Sequence, residues 1–514
     1  MESTEILARI RGYFESAVSD SAYQKWREEA KLAWDFYDGA QWAPEEVTKL
    51  AELGQPAIVI NKIAAKIDNV AGTEVAGRTR IAYRSRSGQP EEEQAAKVLS
   101  DLLAYTAERT ELAQEISRAF RAGLVCGVGW LEVGQTPDVF VQAEDELSVV
   151  WDPLARNADL ADARFIARER WLDAENVREI FPTHGPTMVA ALREEGTLLR
   201  SPYAALNGAE SVPYFDAKRE VYRVVEVQYK QSVRQWRVQL LNGQVQGFYT
   251  RPEARDAAKQ PGAQLLETLW VPRVHVGYFG GGVLLHHAAL EGPDFTLLPY
   301  VYKRHKQGGR PYGLVRAAID PQRELNKRRS KAMHLLNTAQ VIADVDAVDD
   351  PALLAREAAR PDGLILKRAG KDLRIIRNTD LATSQVAVME QAGRDIQDVL
   401  GVFDEAMGKE SNAQSGAAIQ QRQLASTLNQ MFAFDALRRL KKRLGTQLLA
   451  LLRQTLTPTA VLRITDDLTA ARLFAMGEHD LNASFDVVVE EVRDALSLRD
   501  AEVITAQRPD LVGA

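Results

Sequence analysis

The chain has 514 residues, 46% of them hydrophobic and 26% charged, which makes it too long for one core and composed like a soluble globular protein of roughly two to four domains. A formal net charge of −7 gives no overall basic footprint for tight nucleic-acid binding, although a local patch is compatible with it. The single cysteine, Cys126, excludes an intramolecular disulfide, and no apolar run approaches the ~20 residues of a membrane span, so a reducing, cytosol-like setting without a membrane is expected.

In chain order, Met1-Glu-Ser-Thr-Glu lacks a basic and then apolar leader, so no signal peptide is expected. Residues 2 to 38 predict helix, with Trp26, Trp34 and Tyr37 at helical spacing and a break at Asp38-Gly39. Pro44 opens a short helix. Gln55-Pro56 leads into the apolar run Ala57 to Ile60, and Asn61 is placed to cap a helix reaching about Val75. Arg78, Arg80, Arg84 and Arg86 alternate along a strand from Thr79 to Ser85, read as a solvated or subunit-contacting edge rather than a phosphate site. One long helix is expected from Glu91 to about Leu124. Cys126-Gly-Val-Gly-Trp130 then turns into a strand, and Trp151-Asp152-Pro153 ends another.

The most strand-like region runs from Val221 to Tyr302. Val221 to Tyr229 and Val233 to Leu241 flank a short turn, Asn242-Gly243 marks a tight one, and Leu265 to Phe279 alternates, predicting a small antiparallel sheet or barrel. A helix from Tyr312 to Asn337 follows, with Leu314, Ala318, Leu325, Ala332 and Leu336 on its stripe. Its counterpart from Leu381 to Asp404 carries Met389, Ala392, Ile396, Val399, Leu400 and Phe403. Between them lies a small insert: Val341-Ile342, the turn Asp349-Asp350-Pro351, a short helix through Ala359, and strands at Gly363 to Leu366 and Leu373 to Ile376. A polar, glycine-flanked loop from Met407 to Gly416 precedes a helix from Ala417 to about Gln454, on whose stripe Leu424, Leu428, Met431, Leu437, Leu444, Leu448 and Leu451 fall. Strands near Val461 to Ile464 and Phe485 to Glu490 and a helix from Leu498 complete an α+β chain.

Catalytic chemistry is hard to find. There is no phosphate-binding Gly-x-x-x-x-Gly-Lys-Ser/Thr loop, and Gly127/Gly129 reads as close strand packing. His275, His286 and His287 have no cysteine partner for zinc. Asp344, Asp346, Asp349 and Asp350 are the best metal candidates, but without the glycine and terminal glutamate of a calcium loop they read as an acidic surface. Lys327-Arg-Arg-Ser-Lys331 covers every face of its helix and suits pairing with acids between subunits better than a DNA stripe. No serine, cysteine or lysine has a nucleophile's setting, so neither an enzyme nor a cofactor is expected.

The phrases Asp35-Phe-Tyr-Asp-Gly-Ala-Gln-Trp42, Gln55-Pro-Ala-Ile-Val-Ile-Asn61, Val150-Trp-Asp-Pro153, Asp162-Ala-Arg-Phe-Ile166 and Gly309-Arg-Pro-Tyr-Gly-Leu-Val315, running on to Asp320-Pro-Gln-Arg-Glu-Leu-Asn-Lys-Arg-Arg-Ser330, resemble the portal (head-to-tail connector) proteins of tailed bacteriophages, of the short-tailed podovirus type. The resemblance implies a wing over 1–311 with its sheet at 221–304, a first stem helix at 312–337, a clip at 338–380 and a second stem helix at 381–404. It places a tunnel loop at 405–416, a long wing helix at 417–460 and, in 461–514, only a short crown. It further implies a homo-oligomeric ring, a dodecamer, at one capsid vertex of the virion, assembled in the host cytoplasm. Double-stranded DNA would pass through this ring, and its partners would be the major capsid and scaffolding proteins, the terminase motor and a tail adaptor. Lys409, Glu410, Ser411, Asn412, Gln414 and Ser415 would then face the DNA, and Asp344, Asp346, Asp349 and Asp350 would form the docking surface of the clip. The stripe Met389, Ala392, Ile396, Val399, Leu400 and Phe403 would be poorly buried in one copy and covered by neighbours. A net-acidic ring suits a duplex that must slide without sticking. Two other readings stay open: a metal-dependent DNA-processing enzyme built on the aspartates, and a cytosolic helical scaffold unrelated to phage.

Overall fold

The N-terminal stretch is two helices, Ser3–Val18 and Ser21–Asp38, rather than one. Asp20 leaves helical geometry between them and accepts the N–H groups of Ala22 and Tyr23 on its carboxylate, so a short acid that competes for the backbone sets the break. The computed structural model describes residues 3–86, 90–135, 138–198, 214–241, 245–290, 292, 294–360, 363–376, 379–404, 416–455 and 485–491. The expected single helix from Glu91 is likewise two, Pro90–Arg109 and Leu112–Cys126, parted at Glu111, whose φ of 49° no helix accommodates. Other boundaries agree closely. Asn61 caps Lys62–Ala76 by accepting from Ile63 and Ala64, and Pro44 opens Pro44–Glu52.

The sheet expected at 221–304 is antiparallel but larger, because it recruits Val149–Trp151 and Phe165–Asp173 from earlier in the chain. Its axis is one uninterrupted 19-residue strand, Val221–Gln239, with no turn near residue 231. Phe165–Asp173 flanks it on one side as far as the Phe165↔Tyr229 pair, while Leu269–Gly280 continues on the other to Gln235. Beyond Tyr229 the strand leaves the body of the protein. Lys230, Gln231 and Ser232 are therefore polar because they are half solvated, and a polar trio between apolar runs mimics a turn. The Asn242-Gly243 turn lies outside the described residues, as do the strand at 461–464, the helix from Leu498 and any crown.

Two large cores result. One packs Trp26, Trp130, Trp151 and Phe165 between the first two helices and the large sheet, with Trp26 donating its indole N–H to the Cys126 carbonyl at 3.1 Å. Gly129 lets its strand lie directly against the helix Leu112–Cys126: a Cβ there would lie 1.9 Å from the Ala119 carbonyl oxygen, and one on Gly127 2.3 Å from the Tyr312 nitrogen, so the glycine pair serves packing, as its sequence suggested. Arg168, almost fully buried, ties the large sheet to the three-stranded sheet of Val128–Gln135, Val139–Glu144 and Leu297–Val301 through Glu132, Glu144 and Glu226. The second core gathers Lys62–Ala76, Pro90–Arg109, Leu112–Cys126 and the helices at 315–337 and 379–400 around Gly416–Thr455, a 40-residue helix whose Leu437, Leu440, Leu444 and Leu448 are buried while Leu428 and Met431 stay exposed. Strand Thr79–Ser85 pairs along its whole length with Phe485–Glu491, and Gly445 gives this ribbon its seat on the long helix, since a Cβ would reach 2.5 Å from Val487 Cγ1. Arg84 and Arg86 pair with Glu490 and Asp486. The strand edge is thus occupied within the chain by Phe485–Glu491, while the Arg84 and Arg86 side chains stay more than half solvated, as expected.

Candidate functional site: a helix pair and its insert

Helices Val315–Asn337 and Thr379–Leu400 lie side by side and antiparallel: Arg328 donates to Gln385 at 3.2 Å, and Leu325 lies over Gly393. The face that the first helix turns away from this seam carries Gln322, Asn326 and Ser330, all buried. Ser330 Oγ accepts from Ile58, Asn326 Oδ1 from Ile60 and Gln322 Oε1 from Lys62, each at 3.1 Å, while Gln322 donates back to the Ile60 carbonyl at 2.7 Å. A helix repeats every four residues over about 6.0 Å, and two residues of extended chain cover about 6.6 Å, so the two periods match. Three side chains thus act as a strand edge for the run Ile58 to Lys62, and two of the sequence phrases quoted above meet face to face. Sequence reasoning missed this clamp, although uncharged polar residues at i, i+4 and i+8 within a charge-rich helix were its signal.

The second helix ends at Leu400, not Asp404, because Gly401 turns left-handed (φ 65°). Its stripe is also covered differently from expectation. Ala392, Ile396 and Leu400 are buried within the single chain against the first helix and its neighbours, Met389 and Phe403 are half-buried, and only Val399 is exposed. A stripe left bare for neighbouring copies is therefore corrected: the antiparallel partner covers most of it. Asp404, at the far side of Gly401, is held by Lys66 Nζ at 2.6 Å and Gln397 Nε2 at 2.8 Å. This anchor precedes residues 405–415, so Lys409, Glu410, Ser411, Asn412, Gln414 and Ser415 lie outside the described residues.

The insert is a small α/β unit. Gln340–Ala343 pairs antiparallel with Leu373–Ile376, and Asp350 caps the helix Pro351–Ala359 through the N–H groups of Ala352 and Leu353. Gly363 to Leu366 joins no ladder, contrary to the expected strand, since the two-stranded ribbon pairs only with itself. Each aspartate has a local position. Asp344 accepts from the Asp372 N–H at 2.7 Å, Asp349 pairs with Arg368, and Asp346 takes a left-handed turn at φ 67°. Among the described residues no three histidine, cysteine, aspartate or glutamate side chains converge to hold a metal; His275 and His287 merely stack at 5.5 Å. What the insert does display is apolar surface: Val345, Leu364 and Leu366 are 83%, 76% and 79% exposed. Of the basic run at 327–331, Lys327 pairs with Glu46 at 2.8 Å and Arg328 with Glu324 within the chain, and Ser330 is taken by the clamp.

These elements define a structural subunit with a helical spine, an apolar-tipped insert and, among the described residues, no metal-ligating cluster. A family model described as Phage P22-like portal protein matches residues 11–507, and the chain belongs to that family. A search of curated proteins finds no match. The protein is a phage portal protein, the head-to-tail connector whose channel passes double-stranded DNA in packaging and ejection. Portal proteins are structural rather than enzymatic, form homo-oligomeric rings at the capsid vertex of the virion, and interact with capsid, terminase and tail. The enzyme and scaffold readings fall away with that membership. No helix among the described residues is long and apolar enough to cross a membrane.

Proposed function

We propose that the antiparallel helix pair is the stem, residues 338–380 the clip, and residues 405–416 the tunnel loop of a twelve-membered ring. Residues 1–311 and 417–460 form the wing, and the C-terminal 461–514 completes it with a short crown. The ring assembles in the host cytoplasm with capsid and scaffolding proteins. The observation that carries this reading is the insert's exposed apolar surface at the end of a two-helix spine, because leucines bared to water on a small unit mark an interaction site. The aspartates Asp344, Asp346, Asp349 and Asp350 surround it, and with the leucines they make the face that receives the terminase during packaging and the tail adaptor afterwards.

The test follows from the local structure. Reversing Asp344, Asp349 and Asp350 together would unfold the insert, since they hold its turn, its ion pair and its helix cap. Leu364→Ser with Leu366→Ser removes apolar surface that supports nothing in the chain. Rings of this variant imaged in negative stain should look unchanged, with twelve subunits, while pull-down of terminase or adaptor falls at least about tenfold, as for loss of an interface anchor. Undiminished capture of both partners overturns the clip assignment.

A further inference from the structure

One part of the molecule has the opposite electrostatic character from the rest. Between Lys230 and Arg273 the sequence carries seven lysines and arginines against three acidic residues, a local excess of four positive charges, which leaves −11 on the remainder of the chain. In the fold this segment is a finger. The first half of Val221–Gln239 is buried in the large sheet, whereas its second half leaves the body with only short partners, Val245–Phe248, Gln264–Leu265 and the start of Leu269–Gly280, backed by the helix Arg251–Ala257. Its projecting part is apolar as well as basic: Leu241 and Trp270 are 80% and 69% exposed, and Leu265 and Leu269 are about half exposed. Arg234 lies over Trp270 and Arg273 over Tyr249, with guanidinium-to-ring distances of 5.9 and 4.1 Å, which keeps both cations beside aromatic rings.

A phosphate backbone is met by cations and gains nothing from bared leucines. A basic rim around an apolar tip fits a protein surface that is acidic and apolar in turn. In a ring of identical subunits, the acidic surface always at hand is the body of the next copy, and a ring closes through two different patches on each subunit. The body offers a matching recess. A cavity of about 720 Å3 lies beneath the turn between Pro90–Arg109 and Leu112–Cys126; Asp101, Glu108 and Glu111 and the exposed ring of Tyr105 stand at its rim, and Glu74, Arg78, Arg80 and Lys441 also line it. Its inner wall holds Arg78, whose Nε is buried without a hydrogen-bond partner among the described residues and would donate to a main-chain carbonyl of an inserted segment. Lys441, deeper still, is drawn to Glu74 at 4.0 Å.

We infer that the finger Lys230–Arg273 of one subunit docks against the carboxylate-bearing rim of this recess on its neighbour and so fastens the wings of the ring. This rests on the ring reading above.

Two measurements test it on the full-length protein. A benzophenone side chain in place of the exposed Trp270 should, on irradiation of assembled rings, produce covalent ladders of subunits, with cross-linked peptides mapping between 90 and 116. Separately, Arg234→Glu with Arg273→Glu should raise the protein concentration at which rings form about tenfold, as should Glu108→Lys with Glu111→Lys. Combining the two pairs should restore assembly, a reciprocity that misfolding would not produce. Rings that form normally in all variants, cross-links that map elsewhere, or cross-linking to an added 30-base-pair duplex in preference to protein would each overturn the inference while leaving the ring intact. Wild-type protein that forms no ring in negative stain would overturn the ring reading and this inference with it.

Discussion

At the scale of single residues, the placement of carboxylates decides most of what is local. Asp20 and Asp350 end and start helices, Asp404 anchors the start of the polar loop, and none of these roles needs a metal. Glu146 differs. It is buried, accepts the indole N–H of Trp34, and pairs with no cation among the described residues, so burial pushes its carboxyl up to about 7. The unfolded chain titrates this group near 4.5, so between about pH 4.5 and 7 the folded state holds the proton and the unfolded state does not. Its contribution is therefore fully present in acid and lost as pH rises through about 7. Glu146→Gln keeps a neutral acceptor for Trp34 and removes the titration. The variant should exceed wild type in stability by about 1–3 kcal/mol at pH 8 and by little at pH 5, read from urea unfolding at both pH values. A gain of equal size at both would refute the assignment.

At the scale of elements, the helix pair carries the argument. The periodicity of the second helix was plain in sequence, and so was the one on the first, up to Leu336, which is exposed. What covers each stripe was not. Ile396 is fully buried inside one chain, while Val399, one turn on, faces outward. Ile396→Asp should thus place an uncompensated charge in the core, cost about 3–5 kcal/mol, and yield aggregated or unfolded protein by circular dichroism. Val399→Asp should leave the monomer's unfolding midpoint within about 0.5 kcal/mol of wild type. If Ile396→Asp gives folded subunits that merely fail to form rings, the helix is packed by neighbours and not by its own chain.

For the whole molecule, charge is divided unequally: an acidic body, a basic finger, and the proposed tunnel loop at 405–416, in whose sequence Lys409 and Glu410 cancel beside Ser411, Asn412, Gln414 and Ser415. If that loop lines the channel, its neutrality lets phosphates slide past without adhering. Deleting Lys409 to Gln414 should spare ring and capsid assembly yet lower the DNA retained per filled head. Asn412→Lys with Gln414→Lys should slow translocation in a way that added salt relieves. Full-length packaging at normal rate by both variants would remove the loop from the channel.

By itself the sequence determined the elements whose evidence is local. A proline or a capping asparagine opens a helix, apolar residues recur every three or four positions in the helix pair, and alternating residues in Thr79–Ser85 predict a strand with the observed ends. The same local rules failed where a long-range partner overrode them. Lys230 to Ser232 look like a turn until Leu269–Gly280 is seen to carry the strand past the body, and the arginines of Thr79–Ser85 look like an open edge until residues 485–491, some 400 positions later, pair with them. Burial was decided only in three dimensions. An apolar stripe records that something must cover it, but whether that is the same chain or the next depends on where the antiparallel partner lies, and a period of 3.6 carries no address. For the same reason Gln322, Asn326 and Ser330 became interpretable only once the extended run at Ile58 lay against them, because a hydrogen bond across some 270 residues leaves no pattern in either segment alone.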